Sequence, residues 1–139
     1  MEDVERVRLA VAAAADAYQQ PIVYVTRVPS KAPAPDEPVR RHLDAVLPEI
    51  ARRCSSYHVI LEGAGFIAAV KRSVLTNLLQ PIWRPRKFYV HAHATEVPPH
   101  LDATEQVNVN ALLKRAQRHD LLTCGPPGLP ARFAPPAAE

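Results

Sequence analysis

Apolar residues recur along the chain at two spacings, and the alternation between them lays out its elements. Val4, Val7, Val11 and Ala14 or Ala15 lie three to four residues apart, as on one helix face over residues 4–18. The alanines among them have the highest helix propensity. "PIVYVTRV" (21–28) breaks that period with β-branched and aromatic residues in a run too short for a typical helix, so it reads as a central strand after Pro21. "PSKAPAPDEP" predicts an exposed, extended loop in which Asp36 offers an N-cap. The helix that follows has Val39, Leu43, Val46, Leu47, Ile50 and Cys54 on its apolar face, and Pro48 should kink it near Asp44. "YHVILEG" (57–63) predicts a second strand, "FIAAVKRSVLTNLLQPIW" a helix ending near Pro81, and "KFYVHAHA" (87–94) a third strand. A last helix over 104–122 would bury Val109, Leu112, Leu113, Ala116 and Leu121 and keep Lys114, Arg115, Arg118 and His119 in water.

Helices alternating with strands imply an α/β fold: a small, mainly parallel sheet of three to four strands covered by about four helices, with right-handed crossovers. The 139 residues fit one domain, placed at 1–123, and the proline-rich end 124–139 reads as a disordered tail. No apolar run reaches the ~18 residues of a membrane span. The early acidic residues are unlike a secretory signal, so the expected location is cytoplasmic. Cys54 and Cys124 form no C-x-x-C pair and read as buried, reduced thiols. The net charge of +3 and the thin basic cluster of Lys71, Arg72, Arg84, Arg86 and Lys87 fall short of the footprint of a nucleic-acid binder.

Three places could carry chemistry. Gly63, Gly65 and Ala68 have the G-x-G-x-x-A spacing of a dinucleotide turn at a strand-to-helix junction, where helix N–H groups attract anions. The acid expected about 20 residues further on is missing and so is a P-loop, so the junction reads as a tight corner. Glu62, Gly63, Gly65, Phe66, Lys71 and Arg72 remain the candidate site for a small ligand or anion, with a solvated strand end or an ion pair to Lys71 or Arg72 as the plainer role of Glu62. His91 and His93, two apart in a strand, would share a face where His58 or His100 could join them around a metal. No nucleophile elbow is present, and neither a catalytic residue nor a cofactor is predicted.

The third helix is apolar over more than one face: Phe66, Ile67, Val70, Val74, Leu75, Leu78, Leu79, Ile82 and Trp83. So wide a stripe predicts burial on two sides, with Leu78, Leu79, Ile82 and Trp83 at a subunit interface or, for Trp83, at the end of the monomer core. On the interface reading, Trp83→Ala or Leu79→Asp would dissociate an oligomer without unfolding the monomer.

The run from "VRRHLDAVLPEIARRCSSYHVILEGAGFIAAVKRSVLTNLLQPIWRPRKFYVHA" resembles bacterial STAS-like proteins of the SpoIIAA-like group, in the order helix, strand, "EG.GF", helix with "RS", strand, over about residues 21–95. The resemblance implies a non-catalytic regulatory or protein-interaction module that works with protein partners, and the breadth of the third helix adds the expectation of a homo-oligomer. In that family a Ser or Thr after the strand is often phosphorylated. Glu62, Gly63, Ala64 and Gly65 supply no such hydroxyl, and Ser73 lies on the helix.

Overall fold

The computed structural model describes residues 2–29, 31–84 and 87–119. Four α-helices alternate with three strands in the order α1 (Glu2–Tyr18), β1 (Ile22–Val28), α2 (Glu37–Arg53), β2 (Cys54–Leu61), α3 (Phe66–Trp83), β3 (Lys87–His91) and α4 (Ala103–Arg118). Two 3₁₀ turns, Ala94–Glu96 and Pro98–His100, fill the span between β3 and α4. The strands form one parallel sheet in the order β1-β2-β3. The α/β class and the parallel sheet agree with the apolar periodicity. The tail expected at 124–139, with Cys124 and Leu121, lies outside the described residues.

Local chemistry sets the element ends. The Asp36 carboxylate accepts the Val39 N–H at 3.0 Å and starts α2, as its position before the apolar run suggested. α2 runs as one helix through Pro48. Asp102 and Glu105 close a capping box at α4, with Glu105 N–H donating to Asp102 at 2.8 Å and Asp102 N–H to Glu105 at 3.1 Å. β3 stops at His91, three residues short of the expectation, because the Glu96 carboxylate takes the Ala92 N–H at 2.8 Å and turns the backbone into the 3₁₀ segment. β2 begins at Cys54, and its pairing with β1 skips Ser55 between Ile22↔Cys54 and Val23↔Ser56, a bulge that resets which side chains face which way.

Beyond that bulge the period-two alternation divides the side chains between two cores. Tyr24, Tyr57, Val59, Phe88 and Val90 face α1, α2 and α3, where Val11, Val46, Leu47, Ile50, Ala51 and Trp83 complete the larger core. Tyr24, Tyr57 and Phe88 stand at one level across the three strands, with ring centroids 4.8 and 5.5 Å apart. Val23, Val25 and Ile60 face the other way, under Val97, Leu101 and the α4 residues Val109, Leu113 and Ala116. Leu112, expected on that buried face of α4, is 55% exposed. Both crossover helices lie on one side of the sheet, as two crossovers of the same hand produce when the strand order advances in one direction.

Candidate functional site

The glycine junction is a closed corner. Gly65 sits at φ 87°, ψ −179°, a region essentially reserved for glycine, and Gly63 at φ 134°. A Cβ added at Gly65 would meet nothing within 4 Å, so the requirement is conformational and not one of close approach. Gly65→Ala should therefore destabilise the chain by about 1–3 kcal/mol through backbone strain alone. Urea unfolding checks this, and an unchanged midpoint would count against it.

Two of the three charged groups of the expected ligand site, Glu62 and Arg72, are engaged within the corner. Glu62 pairs with Arg27 of β1 at 2.7 Å, in place of the expected Lys71 or Arg72. Arg72 donates to the carbonyls of Leu61 and Gly63 at 3.2 and 3.1 Å, pinning the first turns of α3 to the end of β2. Lys71 is exposed and Phe66 is 83% exposed. Two clefts open elsewhere, about 450 Å³ between the end of α1 and the end of α2, and about 350 Å³ between the 3₁₀ turns and α4. No residue of the junction lines either of them.

The histidines are arranged differently from the strand alternation. His93 lies beyond the end of β3, so period two no longer sets it beside His91. His91 meets His58 of the neighbouring strand instead, with His58 Nδ1 and His91 Nε2 at 2.9 Å and the ring planes within 9° of parallel. His58 Nε2 lies 3.1 Å from Ser56 Oγ, and His91 Nδ1 lies 3.9 Å from the Glu96 carboxylate. His100 packs on Tyr89 with centroids 4.3 Å apart. Among the described residues, no three His, Cys, Asp or Glu side chains converge in a way that could hold a metal ion.

The tautomers of the two rings set the direction of this chain of hydrogen bonds. With the proton on His91 Nδ1, Nε2 accepts from His58 Nδ1–H and His58 Nε2 accepts from the Ser56 hydroxyl; the opposite tautomers reverse both bonds. The sequence of donors resembles a nucleophile and its base. Ser56 is only 4% exposed and His58 0%, so no substrate reaches either, and the linkage rivets β2 to β3 under the 3₁₀ turns. Burial first, then the His91 and His100 charges, hold His58 down to about 4. Burial also lowers His91, with His100 adding to the effect and Glu96 opposing it. Ser56 and His58 alternate visibly in the sequence, but their meeting with His91 depends on the β2–β3 register, which no local pattern encodes.

The expected interface residues divide. Trp83 is fully buried against Tyr57, centroids 4.5 Å apart, so it closes the end of the monomer core and is not open to a subunit contact. Leu79 and Ile82 pack on the same core and are half-buried. Leu78 alone of the four faces outward, at 65% exposure. It joins Phe66, Ile67 (72%), Val70 (43%) and Val74 (51%) in a continuous apolar stripe on the side of α3 away from the sheet. The width of the apolar arc thus does reflect two faces, one inside the core and one open. No family model, curated protein or solved structure matches the chain.

Proposed function

We propose that this chain is a non-catalytic, STAS-like regulatory module of the cytosol that acts by contact with protein, through the outer face of α3. One observation carries the reading: five large apolar side chains stay open to water along a single helix whose opposite face is anchored in the core. Contiguous apolar patches of this kind mark interaction sites, whereas scattered exposed residues such as Leu9 and Leu112 need no explanation. The engaged charges of the glycine junction and the enclosed Ser56–His58–His91 linkage both speak for contact over chemistry. No described helix is long and apolar enough to cross a membrane, which is compatible with a cytosolic site of action.

A photo-crosslinking amino acid placed at Leu78 should give discrete protein adducts in living cells. The same residue at Leu112, also exposed but isolated, should give none. Equal or absent labelling at the two positions would overturn the reading.

A further inference from the structure

The outer face of α3 carries a single charge, Lys71 at its rim. Lys71 and Arg72 are the helix's only charged residues, and Arg72 is turned to the Leu61 and Gly63 carbonyls. The neighbouring helices present charge to water: Arg6 pairs with Glu2 and Asp3 on α1, and Arg40 and Arg41 pair with Glu37 on α2. One helical layer is thus ionic over two of its members and apolar over the third. The rim of the stripe is Ser73, Asn77 and Gln80 on one side and Lys71 on the other, so the best complement is another apolar strip with a mainly neutral rim.

The spacing of the stripe is symmetric. Phe66, Val70, Val74 and Leu78 follow one another at intervals of four, centred on position 72. A two-fold axis there, with the helices antiparallel, sets Phe66 of one chain against Leu78 of the other, and Val70 against Val74, so that the strip meets itself. The helix ends favour the antiparallel sense. α1 has Glu2, Asp3 and Glu5 in its first turn, α2 has Asp36 and Glu37, and α4 has Asp102 and Glu105, whereas α3 starts at Gly65 with neither a side-chain cap nor an acid in its first turn. The negative end of a second α3 lying alongside supplies what that N-terminus lacks. Scaled by their exposures, the five side chains leave on the order of 500 Å² of surface open per chain, the larger part of the ~800 Å² a standard interface buries on each partner.

Resting on the reading of α3 as a contact surface, we infer that its occupant is a second copy of this chain: an antiparallel, two-fold α3–α3 pairing centred between Val70 and Val74. Each protomer then stacks its helical layer on the other's, leaving α4 and the 3₁₀ turns on the outside.

The test is the molar mass of the full chain by light scattering across a concentration series, with Val70→Asp and Val74→Lys made separately. The parent should be a dimer. Each variant should dissociate about 100-fold more readily, because a charge replaces an apolar group at the centre of the contact. Mixing the two variants in equal amounts should restore a dimer, since position 70 of one chain lies against position 74 of the other. Circular dichroism melts confirm that the variants stay folded, and if either does not, disulfide trapping between Val70→Cys and Val74→Cys chains reads the same pairing. Variants that dissociate but do not recombine overturn the antiparallel register. A parent that stays monomeric overturns the second copy while leaving α3 open to a different protein, the case in which the Leu78 crosslinks lead elsewhere. A dimer indifferent to both substitutions, together with no crosslinks at Leu78, overturns the contact surface itself.

Discussion

Trp83→Ala should cost about 3–5 kcal/mol of folding stability, the range for removing a large buried aromatic side chain. Against the 5–15 kcal/mol by which domains are typically stable, that loss leaves the chain unfolded or close to it. The indole is fully buried, with Tyr57 and Phe88 around it at centroid distances of 4.5 and 6.3 Å, and its removal leaves a cavity under the cross-strand aromatic row. Trp83 Nε1 has no hydrogen-bond partner among the described residues. Trp83→Phe should therefore cost roughly half as much, since it gives up volume but no hydrogen bond. Urea unfolding of the three proteins decides the matter. A Trp83→Ala chain with the parent's midpoint but a lower molar mass would return Trp83 to a subunit contact.

Acid should weaken the fold well before carboxylates protonate in bulk. His58 has a folded pKa of about 4 and an ordinary value of 6.5 when the chain is open. The unfolded chain thus binds the proton more tightly, and the stability from neutral His58 is complete above pH 6.5, falls as the pH drops, and is gone below about 4. At ~1.4 kcal/mol per unit of pKa, the loss from this residue is on the order of 3 kcal/mol, and His91 acts in the same direction. The groups facing the pair are Ser56 and Tyr89 from the sheet, Glu96 from the first 3₁₀ turn and His100 from the second. Among these groups Glu96 favours a proton on His91, and burial together with His100 outweighs it. Melting temperatures between pH 7.5 and 4.5 should fall steeply for the parent and less steeply for His58→Phe, which cannot take up the proton. Parallel curves would show that the acid sensitivity lies elsewhere.

The order of the elements was legible because each apolar run keeps its own period, and Asp36 showed where α2 begins. Three things were not legible, each for a physical reason. Pro81 reads as a stop, yet α3 continues to Trp83, because burying Ile82 and Trp83 outweighs the hydrogen bond a proline withholds. The end of β3 depends on Glu96, a side chain outside the strand that competes for the strand's next donors. The pairing of His58 with His91 rests on register between positions 33 apart in the chain, and His93 lies beyond the end of β3. The apolar breadth of α3 announced two buried faces, but only the packing showed that Trp83 belongs to the inner one and Leu78 to the outer.

The strands stand side by side in the order in which they are made, and this gives the protein a direction of assembly. β1, α2 and β2 can pair once residue 61 is available, and the larger core fills when β3 arrives, since among the described residues it draws on none beyond Val90. The second core waits for Val109 and Leu113. A nascent chain that has reached β3 therefore carries one finished core, while the other side of the sheet, with Ile60 on it, stays open to water until the 3₁₀ turns and α4 arrive as its door.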